Sequence, residues 1–109
     1  ENIFIVRNNK IKTTPITTVL EGLTRDCVIN IAKQNNIHVV EQKFTRDELY
    51  IADEVFLTGT AAEITPVREI DDRKIGNGLP GKITKLIQKS YKELVKGISE
   101  PKSKYLKKI

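Results

Sequence analysis

Residues 54–63 read EVFLTGTAAE. The first five are mostly apolar and prefer extended backbone, so they predict a buried strand over 54–58. The small residues that follow lie where a strand end can offer its backbone amides to a bound anion. This second part is too short for the glycine-rich phosphate loop of nucleotide triphosphatases, and its composition alone fits a plain turn equally well.

A second candidate anion site precedes this stretch. Residues 20–26 read LEGLTRD, and Gly22 lets the backbone turn just before a helix that the apolar spacing predicts from Thr24 to about residue 35. Free amides at the helix start and the Thr24 hydroxyl can converge on one phosphate. The same residues also fit an ordinary helix entry, with Thr24 as the cap and Asp26 complementing the helix dipole.

The other segments mix strands with helices. Asn8 and Asn9 tolerate the positive φ of a tight turn, which predicts a hairpin of strands 2–7 and 11–13. Further strands are predicted over 37–44 and 64–70, with a capping-box helix over 46–52 and a long final helix after Gly81. The pattern indicates a mixed α/β fold of the α+β kind.

Length and composition limit the possible classes of protein. The chain has 109 residues and a mass of 12.4 kDa, which is enough for one domain. Hydrophobic residues at 39% and charged residues at 30% argue against a disordered chain, and no apolar run approaches the length of a membrane span. We therefore expect a soluble, globular protein with no membrane partner, and we assign it to the cytoplasm.

Neither the single cysteine nor the single histidine indicates a metal site. Cys27 lies on the apolar stripe of the first predicted helix and is expected to be a core residue. His38 has no second histidine or cysteine at ligand spacing, so we expect no metal site. The sequence contains no methionine and opens on a β-prone run, which favours a piece of a longer protein that begins inside a sheet.

Basic residues gather at the end of the chain. The formal net charge is +5, but the residues after 80 hold nine lysines against Glu93 and Glu100. Five of these lysines recur at helical spacing opposite an apolar stripe, as expected for the solvated face of a surface helix. A basic nucleic-acid-binding module is the alternative, although the lysine face has no arginine and no interleaved aromatic residue. Residues 101–109 are expected to form a loosely held basic tail.

Several segments together resemble the C-terminal portion of a branched-chain amino-acid aminotransferase, a class IV enzyme that depends on pyridoxal 5'-phosphate (PLP). They are residues 1–4, 20–26, 49–56, 58–68, 75–78 and 81–85. The resemblance implies a D-amino-acid-aminotransferase-like fold, in which a barrel-like mixed sheet with flanking helices forms a PLP-phosphate-binding domain over residues 1–100. D-amino-acid aminotransferases and aminodeoxychorismate lyases, which usually differ at 58–63, are the alternatives within the family.

The resemblance also implies a site. Leu23 and Thr24 would offer backbone amides to the cofactor phosphate beside Gly22, and Thr24 would add its hydroxyl. Thr60, next to Gly59, would bind the same phosphate from the opposite loop. Leu20 would lie against the pyridine ring, and the backbone at Thr60 and Ala61 would receive the substrate carboxylate.

The full-length parent would transfer the amino group of leucine, isoleucine or valine to 2-oxoglutarate. In the family, the catalytic lysine and the carboxylate that pairs with the pyridine nitrogen both precede the position of Glu1. We therefore expect no catalytic residue in this chain, which would be inactive without the missing N-terminal domain of the same protein. The resemblance further implies a homo-oligomer that does not bind nucleic acid.

Overall fold

The computed structural model describes residues 2–15, 22–59 and 63–99. Within them, the chain mixes strands with helices, as the sequence predicts. Their order is β1 (Asn2–Arg7), β2 (Lys10–Thr13), α1 (Gly22–Gln34), β3 (His38–Glu41), α2 (Arg46–Tyr50), β4 (Glu54–Thr58), β5 (Ile64–Pro66), β6 (Glu69–Ile70), β7 (Arg73–Lys74) and α3 (Lys82–Ser99).

Five strands form a mixed sheet in the order β3-β2-β1-β4-β5. The β2–β3 pair is parallel, and the pairs β1–β2, β1–β4 and β4–β5 are antiparallel. The predicted hairpin is confirmed, because Asn8 and Asn9 adopt φ values of 52° and 61° between β1 and β2. Both values suit the two-residue turn that matches the twist of the flanking strands.

Apolar side chains cover both faces of this sheet. On one face, Phe4 and Phe56 stack with ring centroids 4.9 Å apart, and α1 and α3 pack over them through residues such as Val28 and Ile87. The opposite face carries a second cluster, which is built around Ile5, Ala52, Val55 and Ile75. Alternation along each strand divides the residues between the two faces, so β1 contributes to both clusters.

Several predicted boundaries are corrected. Helix α1 begins at Gly22, two residues before the predicted start, and Asn36 with φ of 60° follows its end. The predicted strand over 64–70 was wrong, because β5 ends at Pro66 and Glu69 pairs with β7 in a separate two-stranded sheet. After β5 ends, the Val67 amide donates one more hydrogen bond to the Val55 carbonyl of β4.

The amphipathic character of α3 is confirmed in most positions. Its lysines over 82–96 are exposed, and Ile83 and Ile87 are buried. Val95 is the exception on the apolar stripe, with 44% of its surface exposed. In the described residues, no helix is both long enough and apolar enough to cross a membrane.

Candidate functional site

The strand register brings the ends of several strands to one end of the sheet. Thr58, the last residue of β4, pairs with Asn2 at the start of β1 and with Ile64 at the start of β5. Phe4 pairs with Thr13, the last residue of β2, so β2 also ends here on the other side of β1. The strands β2 and β4 lie two strand spacings apart, which is about 10 Å across the sheet, and their ends differ by two residues in register along β1.

Both candidate anion-binding segments leave this end of the sheet. The connection to α1 begins at Thr14, directly after β2, and the connection to β5 begins at Gly59, directly after β4. Leu20, Thr60 and Ala61 lie outside the described residues. The other predicted site residues, Gly22, Leu23, Thr24 and Gly59, belong to these two connections or to the helix start that follows.

Helix α1 contributes its first turn. Gly22, Leu23 and Thr24 are its first three residues, and amides at these positions have no acceptor within the helix. They can therefore bind an anion, which the helix dipole also favours. The interpretation of Thr24 as the helix cap is corrected, because Thr24 lies inside the first turn and its hydroxyl is 3.5 Å from the Tyr91 hydroxyl.

Thr58 adds a polar group that the sequence did not single out. Its side chain is 1% exposed, and its hydroxyl has no hydrogen-bond partner in the described part of the chain. It lies on the same sheet face as Phe56, which is the face that α1 and α3 cover. A buried hydroxyl without a partner is costly, so its position beside Gly59 fits a site that receives a polar ligand.

Arg25 ties the helix start to the sheet. Its side chain is only 3% exposed, and Nη2 donates to the Thr14 carbonyl at 3.0 Å and to the Glu41 carboxylate at 2.5 Å. Thr14 follows β2 and Glu41 ends β3, so one guanidinium fixes the first turn of α1 against two strand ends. Sequence reasoning assigned Arg25 no role, because burial of a charged side chain has no local signature.

The clearest changes in acidity lie beside α2. The hydrogen bond from Lys12, at 2.7 Å, lowers the pKa of the Glu48 carboxyl. The hydrogen bond that the Tyr50 hydroxyl donates to Asp71 raises the pKa of Tyr50. Across the described ranges, no cluster of three or more histidine, cysteine or acidic residues is arranged to hold a metal ion.

The family model for class IV amino-transferases matches residues 1–70 of the chain. The chain belongs to class IV of the aminotransferases. This confirms the resemblance stated from the sequence segments, and the mixed sheet with flanking helices confirms the expected fold class.

Curated relatives of this class IV chain are branched-chain-amino-acid aminotransferases. The Escherichia coli K12 enzyme is 46% identical over 110 residues, which cover 100% of this chain and 36% of the relative. The probable enzyme of Aquifex aeolicus is 53% identical over 108 residues, which cover 97% of this chain and 35% of that protein. The chain thus spans about a third of the length of the curated relatives it matches.

A solved structure agrees with these relatives. The branched-chain amino acid aminotransferase of T.th., complexed with N-(5'-phosphopyridoxyl)-L-glutamate, matches the class IV chain with a TM-score of 0.82 and 49% identity. The match covers 88% of this chain and 33% of the solved one. The ligand of that structure joins a phosphopyridoxyl group to an amino acid.

Proposed function

We propose that this chain is the C-terminal part of a branched-chain amino-acid aminotransferase and that it holds the phosphate of PLP. The phosphate site lies between the start of α1 and the connection that begins at Gly59. Residues 1–100 are the phosphate-binding domain, and 101–109 are a basic tail outside it.

One observation carries this proposal: both candidate segments leave the same end of the sheet, on either side of β1. A dianion needs several donors that converge from different directions. The first turn of α1 supplies amides from one side, and the segment after β4 supplies donors from the other. The unpartnered Thr58 hydroxyl at the end of β4 further supports a polar ligand there.

Each side has a defined task. The Leu23 and Thr24 amides and the Thr24 hydroxyl bind the phosphate, and Gly22 lets the backbone approach. Thr60 binds the same phosphate beside Gly59, Leu20 packs against the pyridine ring, and the backbone at Thr60 and Ala61 takes the substrate carboxylate. When bound, PLP supplies the electron sink for bond changes at the substrate's α-carbon.

The residues of this chain bind and orient the cofactor and the substrate, whereas a residue outside this chain transfers the proton. In this proposal the lysine that bonds to the cofactor and moves the proton comes from the preceding part of the parent protein. The substrates are leucine, isoleucine or valine and 2-oxoglutarate. The names of the relatives support the amino donors, and the glutamate part of the ligand in the solved T.th. enzyme supports an acceptor that becomes glutamate.

The whole protein is proposed to be a cytoplasmic homo-oligomer of about three times this length. Exposed apolar side chains, Ile51 at 51% and Leu79 at 62%, are consistent with surfaces that other parts of the assembly cover. Intact mass and light scattering of the full-length protein test this part of the proposal.

The activity is tested on the full-length protein with two amino donors and one lyase substrate. Leucine with 2-oxoglutarate should yield glutamate, whereas D-alanine with 2-oxoglutarate and aminodeoxychorismate alone should react poorly. Activity on D-alanine alone would assign the protein to a different subgroup. Thr24→Ala and Thr60→Ala test the site separately, because both should weaken PLP binding, and unchanged affinity in both would remove the phosphate assignment.

A further inference from the structure

Helix α3 contacts both sides of the proposed phosphate site. Two of its side chains, Gln88 and Tyr91, are three residues apart and therefore share one helix face. Gln88 reaches the strand that follows the second segment, and Tyr91 reaches the first turn of α1. Neither residue belongs to the phosphate-binding set proposed above.

Gln88 fixes the far end of the second segment. Its Nε2 donates a 3.0 Å hydrogen bond to the Ile64 carbonyl, and both groups are partly buried. Ile64 is the first residue of β5 and pairs with Thr58, so the two strand ends that flank the second segment are neighbours in the sheet. The hydrogen bond from Gln88 therefore fixes the start of β5 relative to α3.

Tyr91 performs the corresponding task at α1. Its hydroxyl lies 3.5 Å from the Thr24 hydroxyl, a long hydrogen-bond contact between residues 67 positions apart in the chain. The Tyr91 ring packs against the core that α1 and α3 share. The contact limits the rotation of the Thr24 hydroxyl, which the proposed function directs toward the phosphate.

The start of α3 is itself anchored to the sheet. The Glu54 carboxylate accepts hydrogen bonds from the Ile83 amide at 3.2 Å and the Thr84 amide at 2.7 Å. Glu54 begins β4 and Thr58 ends it, so α3 is attached near the start of the strand and reaches Ile64 beside its end. The helix can therefore act as a rigid spacer between the two segments.

We infer that Gln88 and Tyr91 are positioning residues that set the separation and orientation of the two sides of the phosphate site. The inference rests on the proposed function. Charge-assisted hydrogen bonds to a phosphate depend steeply on distance and angle, so donors from two segments need a common support. In the sheet, β1 lies between the two strands that these segments follow, and α3 provides a second link on the covered face.

The test measures equilibrium affinity of the full-length protein for PLP and for pyridoxal, which lacks the phosphate. Gln88→Met keeps the length of the side chain without the donor, and Tyr91→Phe removes only the hydroxyl. Each should weaken PLP binding by about threefold to tenfold, as expected for loss of one hydrogen bond, and leave pyridoxal binding unchanged. Lys89→Met, at an exposed position between them, should change neither affinity.

Double variants test whether Tyr91 acts through Thr24 and whether Gln88 acts through Thr60. Tyr91→Phe should add little to Thr24→Ala, because the hydroxyl that Tyr91 orients is already gone, and Gln88→Met should add little to Thr60→Ala. The crossed pair Tyr91→Phe with Thr60→Ala should be close to additive. If Gln88→Met does not fold, Gln88→Leu, which is also uncharged and lacks the donor, replaces it.

Equal weakening of PLP and pyridoxal binding would show a general structural role and overturn the inference, as would additivity in the matched pairs. Unchanged PLP affinity in Thr24→Ala and Thr60→Ala would instead remove the phosphate site itself. Loss of affinity in those two variants with none in the Gln88 and Tyr91 variants would remove only the inference. The two failures are thus distinguishable.

Discussion

Arg25 and Glu41 form an ion pair whose two ends lie in different surroundings. The guanidinium is 3% exposed, whereas the carboxylate is 54% exposed. The pair joins the first turn of α1 to the end of β3, 16 residues later in the chain. Because the Arg25 side chain is largely desolvated, loss of its acceptors would leave a buried charge unpaired. Loss of Arg25 would instead leave the Glu41 carboxylate in contact with water.

Removal of the carboxylate should therefore destabilise the chain. We expect Glu41→Gln to lower the free energy of unfolding by about 1–2 kcal/mol, since the Thr14 carbonyl still accepts one bond from Arg25. Urea denaturation measures the change. Glu69→Gln, at an exposed position in the two-stranded sheet, is the matched control and should stay within about 0.5 kcal/mol of the parent. Equal effects in both variants would contradict the assigned role of the pair.

Acid should weaken the contact between Lys12 and Glu48. The folded-state pKa of Glu48 is lowered, chiefly by the Lys12 hydrogen bond and then by the Thr45 amide. Its contribution to stability is therefore fully present above the ordinary glutamate pKa of about 4.3 and is lost as pH falls through the lower folded value. Glu48→Gln should flatten the unfolding free energy against pH in this window. Lys12→Met removes the donor that lowers this pKa and should flatten the curve in the same way, and an unchanged curve in both variants would contradict the assignment.

A rise in pH should remove the contribution of Tyr50 to stability. The folded-state pKa of Tyr50 is raised, first by its hydrogen bond to Asp71. That contribution is present below the ordinary tyrosine pKa of about 10 and is lost as pH rises through the folded value. A titration of tyrosinate absorbance should show a late-titrating group that is lost in Tyr50→Phe. Asp71→Asn should lower the pKa of Tyr50 toward the ordinary value. A late-titrating group that persists in Tyr50→Phe would assign the shift to another tyrosine.

Thr58 should show opposite effects on folding and on cofactor binding. Thr58→Val keeps the shape of the side chain and removes the unpartnered hydroxyl, so the protein without cofactor should be equally stable or slightly more stable. In the full-length protein, affinity for PLP should fall by about threefold to tenfold if this hydroxyl serves the phosphate site. Thr84→Val is the matched control, because the Thr84 hydroxyl is also buried and without a hydrogen-bond partner in the described residues but lies near the start of α3. It should leave PLP affinity unchanged, and equal PLP affinities in the two variants would remove Thr58 from the site.

Local signals account for the features that were predicted well. The Asn8-Asn9 turn, the capping box at Thr45 and the amphipathic pattern of α3 each depend on residues within a few positions of one another. Such contacts can be predicted from propensity and spacing alone.

Features that depend on distant residues were missed. The burial of Arg25 requires Glu41 and Thr14, and the contacts of Gln88 and Tyr91 span 24 and 67 residues. The break after Pro66 was also missed, because both halves of 64–70 favour strands and only the pairing with β7 separates them. Family resemblance predicted that the two candidate anion-binding segments lie together, and the strand register explains why they leave the same end of the sheet.

Gly81 provides a test of the anchor at the start of α3. A Cβ built at Gly81 would lie 2.1 Å from the Glu54 Cδ, which is too close for both groups to keep their places. The Glu54 side chain is flexible, so Gly81→Ala should displace the carboxylate from the Ile83 and Thr84 amides and should not disturb the backbone. We expect Gly81→Ala and Glu54→Ala each to cost about 1–2 kcal/mol, as for the loss of a helix cap.

The double variant decides between displacement of the cap and a separate steric defect. Once Glu54 is shortened, the methyl group at position 81 has space, so Gly81→Ala combined with Glu54→Ala should cost about as much as Glu54→Ala alone. Gly76→Ala is the comparison, because its Cβ would lie 2.5 Å from the Asp53 backbone carbonyl at a φ of +57°. A backbone group cannot move aside as a carboxylate can, so Gly76→Ala should cost more and should not be rescued by Glu54→Ala. Additive costs at Gly81 and Glu54, measured by urea denaturation, would show that the carboxylate does not hold the start of α3.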